Sequence, residues 1–219
     1  MNRFCKAHIA AAALLTAVLA ATDAAGFIGM TNRYFQDTVS GDYWIPRGFA
    51  YQTINPPVFA TQTPEQIEYD FLEMKKMHAN SLRVDFTWGY IERTNDVFDW
   101  TATDHIIATA EKHGLRLFIL IGYQYPPGWF SNAWKAVNQS NKTSNILNYE
   151  HPLARAAYTD FISRVTSRYK DSPAVAGWIL GNEYAYFDLW ETEDPHLFVG
   201  YDTNYSLPSF HAYLTNLYA

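Results

Sequence analysis

The chain has 219 residues, 48% hydrophobic and 17% charged, with a formal net charge of −6. That length supplies one sizeable core, and the acidic balance removes the electrostatic case for nucleic acid. Cys5 is the only cysteine, so an internal disulfide is excluded, and the seven scattered histidines show no helical ligand spacing, which argues against a metal centre.

Arg3 and Lys6 precede an apolar run from Ile9 to Ala21, and small residues continue to Ala25. A basic start, an apolar stretch shorter than the ~20 residues of a bilayer span, and a small-residue end predict a secretory signal peptide over 1–25. Cleavage is expected after Ala20 or near Ala24 and Ala25, and an uncleaved membrane anchor is the alternative. Residues 26–219 then read as a single exported, extracellular domain with no membrane contact after cleavage. Asn138, Asn141 and Asn204 begin Asn-X-Ser/Thr triplets, acceptor sites if the host glycosylates.

Turn chemistry at Ser40-Gly41-Asp42 predicts a β-hairpin feeding a strand over 45–51. Thr63 and Pro64 then open a helix as N-cap and first helical residue. Ile67, Phe71, Met74 and Met77 form its buried stripe. A strand follows over 80–86, then a helix over 102–113 that ends at Gly114. Residues 115–121, LRLFILI, are apolar throughout, as a strand buried on both faces should be. The long segment 122–150 carries Tyr123, Tyr125, Trp129, Phe130 and Trp134. A helix over 151–170 has the stripe Leu153, Ala157, Phe161, Val165 and Tyr169. Asp171-Ser172-Pro173 breaks it before the strand AVAGWIL, and a last helix starts at 206 with Phe210, Leu214 and Leu217 in step.

The order is a hairpin followed by four βα units, so the class is α/β with parallel strands and helical crossovers. An open doubly wound sheet and part of a (β/α)8 barrel both satisfy that order. The first strand ends in FAYQTINPP, without the glycine-rich turn of a nucleotide-binding sheet. Polar and aromatic residues follow every strand, namely Tyr51 and Gln52, Arg83 and Trp88, Tyr123 and Tyr125, Asn182 and Glu183. Chemistry gathered at strand C-termini favours the barrel.

The stretch GWILGNEYAYFDLW places Asn182 and Glu183 at a strand end inside an aromatic collar. A carboxyl group in a poorly hydrated site has a raised pKa and holds a proton for a leaving oxygen, and a neighbouring amide grips a hydroxyl. With NSLRVDFTWGYIERTNDVFDW and GLRLFILIGYQYPPGWF, this stretch resembles the clan A retaining glycoside hydrolases, nearest to β-galactosidases of families 42 and 35. The resemblance covers about 44–219 and implies the N-terminal half of a TIM barrel, about four βα units preceded by the hairpin.

By that resemblance Glu183 is the general acid/base, Asn182 bonds the sugar 2-hydroxyl, and Arg83 orients the nucleophilic carboxylate. Trp88 and Glu92 match a substrate-binding loop in which the family often has Glu-Pro, whereas Arg93 stands here. Tyr123, Tyr125 and Trp129 match an aromatic loop that meets pyranose rings, while Trp178 reads as core. The substrate is then an oligo- or polysaccharide, and neither metal nor other cofactor is expected.

Retaining hydrolysis needs a second carboxylate ~5–5.5 Å from the first. In the clan it lies on the seventh strand, so the sequence reads as a fragment of a longer enzyme, inactive alone. Asp85, Asp188 and Glu191 are the local alternatives. An endo-glucanase or mannanase of the same clan is the rival enzyme. A non-catalytic carbohydrate-binding half-barrel, or self-association through open barrel edges, are the rivals outside catalysis.

Overall fold

A computed structural model describes residues 26–51, 57–122, 125–182 and 203–218. The expected signal peptide lies outside these. Strands β1 (Ile28–Thr31) and β2 (Tyr34–Asp37) pair antiparallel. Their turn residues Asn32 and Arg33 have φ of 50° and 75°, the left-handed conformations of a tight two-residue hairpin turn. The expected turn at Ser40–Asp42 also forms, with Gly41 at φ 75° and its N–H donating to the Asp37 carbonyl. The hairpin therefore begins earlier than the sequence suggests, because Asn32-Arg33 contains no glycine to mark it.

Strand β3 (Gly48–Tyr51) leads to the short helix α1 (Val58–Thr61) and to α2 (Pro64–Lys76). Thr63 caps α2 as expected, in a reciprocal box with Gln66. Ile67 and Phe71 are buried, but Met77 is the C-cap and 59% exposed, one step beyond the stripe's reach. Next come β4 (Ser81–Asp85), α3 (Trp88–Ile91) and α4 (Thr101–His113), which stops at left-handed Gly114. After β5 (Arg116–Leu120) the long segment contains an unforeseen antiparallel pair, β6 (Lys135–Val137) and β7 (Thr143–Leu147). Helix α5 (Pro152–Tyr169) buries Ala154, Tyr158, Phe161, Val165 and Tyr169, whereas Leu153 is 55% exposed. Its buried stripe thus starts one residue later than expected. Strand β8 (Val175–Ile179) and helix α6 (Ser206–Tyr218) complete the elements. Helix α6 has the expected pattern, yet Phe210 and Leu217 are each 55% exposed.

One sheet has the order β3-β4-β5-β8, every neighbouring pair parallel. Strands sit side by side in chain order with no reversal. A doubly wound sheet reverses at a switch point, so this arrangement is half of a (β/α)8 barrel, as the resemblance implied. Leu82, Val84, Leu117 and Ile119 join Ile67, Phe71, Ile106, Phe161 and Val165 in the core.

The opposite sheet face carries Ala50, Arg83, Phe118 and Gly177 in one register row. The N-terminal hairpin region packs over it. Phe35 and Trp44 lie 6.2 and 6.0 Å from the Phe118 ring, and Asp37 is 3.5 Å from Arg116 at the start of β5. The hairpin region thus packs against the N-terminal half of β5.

Candidate active site at the strand C-termini

Arg83 lies at the middle of β4, on the face that a barrel turns inward, and alternation places Ser81, Arg83 and Asp85 together. Its Nη2 donates to Asn182 Oδ1 at 2.6 Å, joining residues 99 apart in sequence. This bond crosses from β4 over β5 to the residues that follow β8. It ties down the amide and fixes which end is available. With Oδ1 taken by the guanidinium, Asn182 Nδ2 remains to donate elsewhere.

Asp85 stands beside this pair, its Oδ1 3.9 Å from Arg83 Nε, with a side chain only 1% exposed. A cavity of about 240 Å³ lies towards the start of the strands, lined by Pro46, Gly48, Phe49, Ala50, Ser81, Leu82, Arg83 and Phe118, so Arg83 stands between it and Asn182. Gly122, just past β5, makes the strand ends meet. A Cβ there would lie 1.6 Å from the Leu180 carbonyl oxygen, so only glycine lets Leu180–Asn182 approach so closely. The sequence reading did not single out this position, although a glycine directly after the apolar run LRLFILI was the available signal.

Three residues assigned to the substrate loop make close contacts within the chain. Trp88 is 1% exposed and stacked on Phe161 at 5.3 Å between ring centroids, so it has no free face for a sugar. Its Nε1 donates to Glu92 Oε2 at 2.6 Å, and Asp96 N–H donates to Glu92 Oε1 at 2.8 Å. Glu92 is 3% exposed with both carboxylate oxygens occupied, and it holds the turn after α3. Trp129 is half-buried against Trp88, and its Nε1 donates to the Glu92 carbonyl at 2.9 Å. These three residues hold one another, because a buried indole N–H must find an acceptor. Tyr125 is half-buried in the loop after β5. Trp178 packs against the core, in line with its reading. Glu183 and Tyr123 fall outside the described residues, as do Asp188 and Glu191.

Comparison with known proteins bears on this arrangement. The family model for glycoside hydrolase family 42, described as beta-galactosidase, matches residues 58–217. The beta-galactosidase Bga of Halorubrum lacusprofundi is 29% identical over 131 residues, which is 55% of this chain and 18% of that protein. A probable mannan endo-1,4-beta-mannosidase F of Aspergillus flavus is 36% identical over 80 residues, 36% of this chain and 17% of that one. The chain thus spans about a fifth of the length of these curated relatives. In fold it is similar to the endo-1,4-beta-mannanase of Rhizomucor miehei, with a TM-score of 0.55 at 18% identity over 74% of this chain and 49% of that one.

Proposed function

The chain belongs to glycoside hydrolase family 42, and from that membership we propose that its residues supply the proton-donating half of a β-glycoside-cleaving site. The observation that carries the reading is the Arg83–Asn182 hydrogen bond. Because the guanidinium occupies Asn182 Oδ1, the amide presents Nδ2 to a substrate hydroxyl. In this reading the contact is to the 2-hydroxyl, where a hydrogen bond strengthens as the oxocarbenium ion forms.

Glu183, the next residue, donates its proton to the leaving oxygen and later takes one from water. Tyr123 and Tyr125 meet the C–H face of the pyranose. A retaining cycle also needs a second carboxylate ~5–5.5 Å from the acid/base. Among the described residues Asp85 is the carboxylate next to Arg83, and its burial suits an orienting role better than attack on an anomeric carbon. Residues 1–25 act as an export signal in this reading, which the mass of the exported protein tests.

The substrate we favour is a β-galactoside, since the family model and the Halorubrum relative both carry that description. The second reading is a β-mannan, favoured by the higher local identity to the Aspergillus protein. Titration with isopropyl β-thiogalactoside and with mannobiose, followed by NMR, separates them. Expected is saturable binding of the galactoside that Asn182→Ala abolishes. Binding untouched by Asn182→Ala would remove the proposed site, and lactose turnover, whose sugar leaving group needs a proton, surviving undiminished in Glu183→Gln would remove Glu183 as proton donor.

A further inference from the structure

Two of the three Asn-X-Ser/Thr triplets begin in a single turn. Residues 138–142 join β6 to β7, and both Asn138 and Asn141 fall inside that connection. The base of the hairpin is packed. Ala136, Ser144, Ile146 and Leu147 are buried there, and Ser144 Oγ donates to the Ala136 carbonyl at 2.9 Å. Residues 139–143 are exposed. The hairpin follows β5, which has a paired strand on each side, β4 and β8, so it does not leave from an open edge of the sheet.

The two asparagines do opposite things in this turn. Asn138 is 1% exposed, and its Oδ1 accepts from the N–H of Ser140 at 3.0 Å and of Lys142 at 2.9 Å. Its backbone N–H donates to the Lys142 carbonyl, and its carbonyl accepts from the Asn141 N–H, both at 2.9 Å. Asn138 thus builds the turn from inside, as asparagine does when its side chain bonds the backbone two residues on. Its Nδ2 is buried, with no hydrogen-bond partner among the described residues. A sugar bonded to that nitrogen would have to pull Oδ1 off both N–H donors and open the base of the hairpin.

Asn141 lies near the tip with φ 59°, a left-handed conformation that asparagine tolerates. It is exposed, and it contributes its backbone N–H to the turn and not its side-chain amide. A bulky, solvated group on that amide leaves the turn's bonds as they are.

We propose that Asn141 is an N-glycan attachment site and that Asn138 is not, although the sequence presents both alike. The donor is an oligosaccharide linked to a polyprenyl diphosphate, and the catalyst is the oligosaccharyl transferase of a eukaryotic host. Asn141 Nδ2 bonds to the anomeric carbon of the first sugar. The bond from that carbon to the diphosphate oxygen breaks, its electron pair leaving with the diphosphate, and the proton lost from Nδ2 passes to a base of the transferase. Transfer takes place before the chain folds, so the fold acts afterwards. A chain with a glycan on Asn138 cannot close the β6–β7 turn, whereas one with a glycan on Asn141 folds unhindered. Asn204 is exposed as well, and its occupancy is independent of the hairpin. The inference rests on the export reading of residues 1–25, since the transferase acts in the secretory lumen.

The test expresses the chain in yeast in two forms, one with its own residues 1–25 and one with these replaced by a yeast secretion leader. Digestion with peptide-N-glycanase in heavy-oxygen water turns each glycosylated asparagine into a labelled aspartate. Fragment-ion mass spectrometry then places the label at Asn138, Asn141 or Asn204. Expected in both forms is label on Asn141 and none on Asn138 in the secreted chain. Asn141→Gln should remove the label from the hairpin and leave Asn138 bare. Asn138→Asp keeps a carboxylate oxygen for the Ser140 and Lys142 N–H groups, and should leave the Asn141 label in place. Label on Asn141 in the leader-exchanged form alone removes the export reading and sustains the hairpin assignment. A bare Asn141 in the leader-exchanged form, in cells and medium alike, overturns the proposal. Label on Asn138 in the secreted chain, whether in the parent or in Asn141→Gln, overturns it as well.

Discussion

Replacing Glu92 with glutamine tests whether this residue serves the fold or the substrate. In the native chain its two oxygens accept from Trp88 Nε1 at 2.6 Å and from Asp96 N at 2.8 Å, at 3% exposure. Glutamine keeps one acceptor and turns an NH2 group toward the other donor, so one N–H faces another N–H. A hydrogen bond to a charged group contributes about 1.5–3 kcal/mol, and a buried donor left unsatisfied costs about 1–3 kcal/mol. These overlap, since the lost bond and the orphaned donor are partly one event, and a net loss of about 2–4 kcal/mol follows. Urea unfolding followed by tryptophan emission reads it directly. With a slope of about 2 kcal/mol/M the midpoint should fall by roughly 1–2 M. A midpoint within about 0.3 M of the parent, together with weakened sugar binding, would refute the packing argument and return Glu92 to the substrate loop.

Three further outcomes are expected. Gly122→Ala forces a Cβ against the Leu180 carbonyl, so it should cost at least about 2 kcal/mol and shift the Asn182 side-chain amide resonance, which NMR detects. Trp129→Phe removes the hydrogen bond to the Glu92 carbonyl and should lower urea stability by about 1 kcal/mol while leaving galactoside affinity unchanged. Asp104 is held below its ordinary value of 3.8 first by Arg168, with Tyr169 also donating to it. A depressed folded-state value gives stability that is present above the unfolded value and lost as pH falls toward the folded one. The gap between the parent and Asp104→Asn should therefore be constant above about pH 5 and close progressively below it; a gap that widens in acid would refute this sign.

Local chemistry was readable in the chain wherever one residue type dictates one backbone state. Thr63-Pro64 opened α2 and Gly114 closed α4, because capping and left-handed geometry are decided by immediate neighbours. The strand–helix alternation was enough for the α/β class, and the Arg83 and Asn182 motifs for the family. What the sequence could not carry was which side of each helix faces the sheet and which aromatic faces solvent. Leu153 and Ala154 fit a helical stripe almost equally well, and only docking of α5 on the sheet buries Ala154 and exposes its neighbour. Trp88 and Glu92 read as sugar contacts since indoles and carboxylates suit both roles. Only the fold shows Phe161 and Trp129 closing over the indole, with its N–H on the Glu92 carboxylate. Likewise, Arg83 and Asn182 were legible as separate motifs, but their partnership across 99 residues exists only because β4, β5 and β8 lie side by side.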